Sequence, residues 1–253
     1  MRNADRETVF RFKQFELSNC RSAMKVGTDG VILGAWAFRN VECKDLKTVL
    51  DVGCGTGLLS MMMAQRFPDA FITGIDIDSD ATEEAQTNFK NSKWSHRLRG
   101  ICRDYVGFAE SCGEERFDAI VCNPPFFTNG AVSPDGLRRA ARHEDGSLSL
   151  ETLFSHADRL LNPGGRMAIV TMAEYRSRVE FLAELNRLRV VAICEVYTKS
   201  TKAPRRILCE VIAPGSDNEC DQQKTESSLI IHGEGGALTA EYVGLVSPYY
   251  TKI

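Results

Sequence analysis

Two stretches of the chain carry residue types at spacings that could do chemistry. The first, Thr48 to Ser60, reads TVLDVGCGTGLLS. β-Branched and aliphatic residues run into an acid, Asp51; glycines follow at alternate positions (Gly53, Gly55 and Gly57, with Cys54 between the first pair), and an apolar helical pattern begins. Glycine is needed where backbone adopts unusual dihedrals or lies close against a ligand, and the helix behind such a turn offers unpaired N–H groups. A ligand built on a nucleoside can sit there. The spacing is not the G-x-G-x-x-G that holds a dinucleotide pyrophosphate on a helix N-terminus; it is D-x-G-x-G-x-G. The second stretch is Asn123-Pro124-Pro125-Phe126, directly after a predicted strand. Two prolines fix the backbone and remove two N–H donors, so the turn presents carbonyls and the Asn123 side-chain oxygen as acceptors beside an aromatic face. A planar amine needs such a rigid acceptor pair.

The Asp51-first loop resembles the S-adenosylmethionine (AdoMet) loop of class I methyltransferases. The ligand implied by that resemblance carries a sulfonium and an amino-acid end, and a carboxylate at the loop entrance suits it. Together with the proline clamp, it implies methyl transfer to an amine such as N6 of adenine. The lone pair of that nitrogen is delocalised into the ring. Hydrogen bonds from its two protons to the Asn123 oxygen and the Pro124 carbonyl would localise the pair toward the methyl donor, with Phe126 stacked on the base. Because a methyl sulfonium is already activated, alignment and charge placement can lower much of the barrier. Asn123, Pro124 and Phe126 are therefore the candidate catalytic residues, and the scheme needs no catalytic histidine or metal.

The elements that must position these groups alternate. Strands are expected at 48–52, 71–75, 98–102, 117–122, 166–172, 190–197 and 206–212, and helices at 58–66, 80–91, 148–161 and 175–188, with Pro68 and the NPGG run acting as helix stops. This order predicts an α/β fold with helices on both faces of the sheet. With the resemblance above, it is a class I methyltransferase, Rossmann-like sheet, mainly parallel with one antiparallel strand. Ligands of such sheets bind outside the carboxyl ends of the strands, where Asp51 with its loop, Asp76, Asp104 and Asn123 all fall. Asp76, about 20 residues after the loop, can accept both ribose hydroxyls of a nucleoside, although Asp78 and Asp80 compete for that place. Asp104 could accept from the exocyclic amine of the cofactor adenine, with Ile77 and Tyr105 packing near the ring; a lone Asp after a strand also serves as a turn residue. Upstream, FRFKQFELSNC from Phe10 has the period-two pattern of a hairpin, and Thr28 or Asp29 is the expected N-cap of a helix over 30–38. The run from Pro214 to Ser228 reads as a polar surface loop, followed by a short strand, a helical turn and an aromatic tail that packs back on the body.

At 253 residues and 43% hydrophobic content, the chain can bury one large α/β domain. We read a hairpin-and-helix extension over 1–40 on a methyltransferase domain over 41–253. No apolar run approaches the ~20 residues of a membrane span, and the N-terminus lacks the apolar core of a secretory signal, so a cytoplasmic protein is expected. Nine cysteines, an odd count without a C-x-x-C pair, read as reduced, mostly buried thiols, and four scattered histidines make no zinc site. A net charge of −3 is not that of a typical nucleic-acid binder, so local clusters must carry any such contact. The candidates are Arg138, Arg139 and Arg142 after the proline loop, Lys199, Lys202, Arg205 and Arg206 before the last main strand, and Arg2, Arg6, Arg11 and Lys13 at the N-terminus.

FKQF (Phe12 to Phe15), AMKVGTDGVILGAW (Ala23 to Trp36), DVGCGTG (Asp51 to Gly57) and NPPFF (Asn123 to Phe127) together resemble the bacterial tRNA1(Val) adenine-37 N6-methyltransferases. The likeness runs from about Phe10 through ARHE (Ala141 to Glu144), LLNPGGRMAIV (Leu160 to Val170) and APRRILCEV (Ala203 to Val211) to the tail EYVGLVSPYYTKI. It implies AdoMet as the cofactor and a valine tRNA as the partner, with the target base extruded into the pocket. It also implies that Lys25, Gly27 and Thr28 line the methionine end of the cofactor pocket, and that Asn123 to Phe126 hold the adenine. Phe126 stands where many N6-adenine enzymes carry Tyr, which keeps the stacking face and drops a hydroxyl. Neither a membrane nor a metal is an expected partner, and the protein is read as a monomer. Protein-glutamine methyltransferases also use N-P-P-aromatic loops, so another RNA adenine or a protein glutamine amide is the alternative acceptor.

Overall fold

The structure is a computed structural model and describes residues 9–21, 26–124, 148–215 and 223–252. It opens with a two-stranded antiparallel hairpin, β1 (Val9–Arg11) and β2 (Glu16–Ser18), and a helix, α1 (Thr28–Trp36). The α/β alternation follows: β3 (Thr48–Val52), α2 (Leu58–Arg66), β4 (Phe71–Asp76), α3 (Ser79–Lys90), β5 (Leu98–Cys102), α4 (Tyr105–Ser111), β6 (Phe117–Cys122), α5 (Leu150–Leu160), β7 (Leu161–Met172), α6 (Arg176–Leu185), β8 (Arg189–Lys199), β9 (Arg206–Ile212), β10 (Thr225–His232) and α7 (Ala240–Val246).

Eight strands form one sheet in the order β10-β8-β9-β7-β6-β3-β4-β5. Only β9 runs against the rest: it pairs antiparallel with both β7 and β8, while every other described pairing in the sheet is parallel. The central strands read as almost unbroken apolar runs because both of their faces are covered. Val49, Ala119 and Val121 enter one core with side chains of α1, α2, α3 and α7, whereas Leu50, Val52, Ile120 and Cys122 enter the other with those of α4, α5 and α6. The helix α2 is apolar all round, with Met61, Met62 and Met63 fully buried, so it needs neighbours on every side. One neighbour is α1, and the approach is close: a Cβ on Gly34 would stand 2.5 Å from the Met62 sulfur. Arg66 at the end of α2 donates to the carbonyls of Gly34, Ala35 and Ala37, placing a cation at the negative end of α1. Both ends of the chain join this layer, for Phe12 stacks on Tyr250 at 5.7 Å and Lys13 N donates to Tyr249 O at 2.7 Å.

Four expectations need correction. Gly27, not Thr28 or Asp29, caps α1, which runs over 28–36 rather than 30–38; Asp29 is drawn away by Arg206, 2.9 Å distant. The helix before the NPGG run does end at Leu160, but the strand after it starts at Leu161 rather than at 166. The run lies within β7 as a bulge where the β6 register shifts between Phe117 and Ala119. Thr225 to Ser228, read as loop, are the exposed first half of β10. Of the eight described cysteines, all free, Cys54, Cys122, Cys194 and Cys209 are buried, so half rather than most are interior. No described helix is long and apolar enough to cross a membrane, and the described residues contain no cluster of metal-binding side chains.

Candidate active site

Ile75, Val52 and Cys122 are partners across three adjacent parallel strands. Their next residues, Asp76, the last of β4, with Gly53 and Asn123, which leave the sheet, therefore stand side by side at the strand ends, with strands spaced about 4.8 Å apart. The glycine turn begins between the other two. Gly53, Gly55 and Gly57 all have positive φ, at 69°, 53° and 86°. At Gly57 space is lacking too, since a Cβ would stand 2.4 Å from the Phe89 ring of α3. At Gly53 a Cβ would meet nothing within 4 Å, so this side of the turn is open to a ligand. Cys54 is buried; its N–H donates to Ile75 O at 2.9 Å, locking the turn to β4.

Asp51 lies beneath the turn rather than at its rim. It is fully buried, and its Oδ2 accepts from Ser60 N at 2.8 Å and from Ser60 Oγ at 2.6 Å. Its Oδ1 is buried without a hydrogen-bond partner, and burial raises its pKa to about 7 against the lowering effect of the Ser60 bonds. A carboxylate left partly uncompensated under the turn favours a cation above it. Asp76 Oδ2 accepts from Gly55 N at 2.8 Å and Oδ1 from Asp78 N at 3.0 Å; a carboxylate has about four acceptor sites, so capacity for hydroxyls remains. Asp78 caps α3 through the N–H groups of Asp80 and Ala81, which leaves Asp76 as the rim carboxylate. Ile77, beside it, is 54% exposed and offers an apolar face. An open glycine turn, an uncompensated buried acid, a rim carboxylate and an exposed aliphatic face fit a cationic nucleoside such as AdoMet.

Of Tyr105 and Asp104, the first departs from the expectation and the second fills the turn position also read for it. Tyr105 is 5% exposed, and its hydroxyl donates to Leu153 O at 3.0 Å, so its ring belongs to the core beneath α4 and α5 and not to a ligand. Asp104 is the N-cap of α4, accepting from Gly107 N at 2.8 Å; it is exposed, but one oxygen is committed to the helix. Gly27 and Thr28 form the start of α1, whereas Lys25 lies outside the described residues.

The acceptor loop meets α1 and α2. A Cβ on Gly30 would be 3.1 Å from Leu58 Cδ2, at the start of α2, and 3.6 Å from Asn123 Nδ2. The N-terminal helix, the glycine turn and Asn123 thus converge, and Pro124, next in the chain, is buried. Pro125, Phe126, Arg138, Arg139 and Arg142 lie outside the described residues, as do Arg2 and Arg6. Arg11 pairs with Glu16, and Lys13 Nζ donates to Ser247 O. Because β9 runs against its neighbours, the link from Lys199 to Arg206 returns at the carboxyl edge of the sheet, the edge that carries Gly53 and Asn123. Lys199, Lys202 and Arg205 are exposed there, while Arg206 is half-buried in its ion pair with Asp29.

Sequence reasoning missed Gly30, Ser60, Glu84 and Asn88. The last two are polar residues on the inner stripe of α3, next to Ala81, Ala85 and Phe89, and that placement was a readable signal.

Comparison with known proteins gives the family and the fold. The family model of the methyltransferase small domain matches residues 37–198. A tRNA1(Val) (adenine(37)-N6)-methyltransferase of Porphyromonas gingivalis is 40% identical over 245 residues, covering 96% of this chain and 95% of the relative. One of the same name from Vibrio campbellii is 37% identical over 244 residues, covering 96% of each. Among solved structures, a predicted O-methyltransferase from Agrobacterium tumefaciens superposes with a TM-score of 0.65 at 16% identity, covering 87% of this chain and 96% of that one. The T. thermophilus 16S rRNA N2 G1207 methyltransferase, solved with AdoMet and guanosine, gives a TM-score of 0.55 at 19% identity, covering 81% of this chain and 50% of that one. These two likenesses speak for the fold.

Proposed function

The chain belongs to the tRNA1(Val) (adenine(37)-N6)-methyltransferase family, and from that membership we propose that it methylates N6 of adenine 37 in tRNA1(Val), using AdoMet, as a monomer in the cytoplasm. The observation that carries the reading is the paired exit of Gly53 and Asn123 from adjacent strands, with Gly30 packed against both Leu58 and Asn123.

Bound in the glycine turn, AdoMet supplies a methyl group on a positively charged sulfur, already activated for transfer. The chain's own residues have then to hold and orient. Gly53, Gly55 and Gly57 with Cys54 shape the turn, and Asp51 supplies negative charge from beneath; Asp76 would receive the ribose, Ile77 would pack on the adenine ring, and Gly27 and Thr28, with Lys25 by the family likeness, would close the methionine end. The Asn123 side-chain oxygen and the Pro124 carbonyl accept from the two protons of the target amine. They localise its lone pair, which forms the new N–C bond as the methyl–sulfur bond breaks and leaves its electron pair on sulfur; they stabilise the positive charge that grows on nitrogen, and one of the two N6 protons then passes to solvent. Phe126 stacks on the base. Lys199, Lys202 and Arg205 at the carboxyl edge of the sheet, together with Arg138, Arg139 and Arg142, hold RNA phosphates.

The test is to incubate the protein with labelled AdoMet and either total tRNA or ribosomal and release-factor proteins, then map the modified nucleoside by mass. Label in N6-methyladenosine at position 37 of valine tRNA is expected. Label at another adenine, or in a glutamine amide of protein alone, would overturn the substrate assignment.

A further inference from the structure

We propose that Glu84 and Asn88 are positioning residues for the cofactor, because together they clamp the segment Ser18–Arg21 to the glycine turn. The proposal rests on the AdoMet reading above. Both side chains are 4% exposed, although they are polar residues on a helix whose Glu83, Gln86 and Thr87 face solvent. A buried carboxylate is costly unless its oxygens are bonded. Glu84 Oε1 accepts from Ser18 Oγ at 3.1 Å, Cys20 N at 2.5 Å and Arg21 N at 3.2 Å; Oε2 also accepts from Arg21 N at 3.2 Å.

Asn88, one helical turn later, carries the coupling. Its Oδ1 accepts from Ser18 N at 2.9 Å, and its Nδ2 donates to Ser18 O at 3.0 Å and to Thr56 O at 2.9 Å. An anchor for the hairpin alone would need only the Ser18 bonds. The bond to Thr56 reaches the residue between Gly55 and Gly57, so one amide holds the N-terminal segment and the cofactor turn in register. Only four residues separate Arg21 from Val26, a reach of at most about 18 Å. Release of the clamp therefore frees Gly27 and Thr28, at the very start of α1, to shift against the turn, while Gly30 stays packed on Leu58 and Asn123. The N-terminal extension is by this account a wall of the cofactor site.

Calorimetric titration of AdoMet, tRNA methylation kinetics and hydrogen exchange test the clamp. Asn88→Ala and Glu84→Ala are expected to weaken AdoMet binding and raise its KM by about tenfold, with kcat at saturating AdoMet and the KM for tRNA within about twofold of wild type. Glu84→Gln, which keeps an acceptor oxygen, should restore most of the affinity lost in Glu84→Ala. Asn88→Asp, which sets a carboxylate against two carbonyls, should be no better than Asn88→Ala. Hydrogen exchange of the wild-type protein avoids any folding defect: saturating AdoMet should slow exchange at Ser18–Arg21 as well as at Gly55–Gly57. Wild-type affinity in both alanine variants, or protection confined to the glycine turn, would overturn the clamp alone. Absence of AdoMet binding by the wild-type protein would overturn the clamp and the reading beneath it.

Discussion

Gly30 of α1 lies against Asn123, and a Cβ added there would stand 3.6 Å from Asn123 Nδ2 and 3.1 Å from Leu58 Cδ2. The first distance is an ordinary contact, and the second asks only a methyl group to move. Gly30→Ala should therefore keep the fold, because a helix gains about 1 kcal/mol from this change, which offsets the crowding. A branched side chain has nowhere to go. Gly30→Val is expected to displace the Asn123 amide and lower kcat about tenfold or more, since misplacement of a reacting group is costly. Steady-state kinetics and thermal melts of the two variants separate the effects. Equal kcat in both would show that this contact does not position Asn123.

Asn123 itself is expected to act on the target amine and not on the cofactor. Asn123→Ala should cut turnover roughly 10²-fold, by analogy with loss of one oriented polar group at a developing charge, and leave AdoMet affinity nearly unchanged. Calorimetry beside single-turnover kinetics measures both quantities. Unaltered turnover would remove Asn123 from the mechanism.

The Gly57 turn is constrained twice, by a φ of 86° and by the Phe89 ring 2.4 Å from the missing Cβ. Gly57→Ala should destabilise the protein by about 1–3 kcal/mol or more and weaken AdoMet binding. Truncating the ring in Gly57→Ala/Phe89→Leu removes the clash and leaves the backbone strain. A double-mutant cycle should then show favourable coupling between the two changes; additive urea midpoints would mean that contact with Phe89 does not restrict the turn.

Much of this site was legible because its signals are local. The run TVLDV and the glycines after it, or FDAIVC and the prolines after it, are buried strands that end in special backbone, and each is encoded within a few residues. What was not legible depends on partners distant in sequence. Asp29 reads as a helix cap until Arg206 comes within reach of it. Tyr105 follows a carboxylate at a strand end, yet α5 covers that face and takes the ring into the core. Thr225 to Ser228 carry no apolar signal because an edge strand joins β8 through its backbone while its side chains stay in water.

Asp51 ties stability to pH. Its pKa is about 7 when folded and 3.8 for an unperturbed group, so the folded state holds the extra proton between those values. Stability from this group is thus fully present below about pH 4 and declines as pH rises toward 7, by up to about 4 kcal/mol. Asp51→Asn keeps an acceptor for Ser60 and removes the ionisation. The variant should be more stable than wild type at pH 8, with the gap closing as pH falls to 5, as read from urea midpoints. A gap independent of pH would mean that Asp51 ionises without penalty.

The basic edge divides into residues that face solvent and one that does not. Lys199, Lys202 and Arg205 are exposed on the link between β8 and β9, whereas Arg206 donates to Asp29 at 2.9 Å and braces the first turn of α1. If the exposed cations hold phosphates, log affinity for tRNA should fall linearly with log salt, and each substitution to alanine should reduce the slope by roughly 0.7–0.9. Arg206→Ala should behave in another way: it strands Asp29 and loosens α1 beside Asn123, so kcat should fall while the salt slope stays within error. Filter binding across a salt series, set beside turnover, distinguishes the two roles. A slope that drops as much for Arg206 as for Lys202 would assign Arg206 to the RNA surface instead.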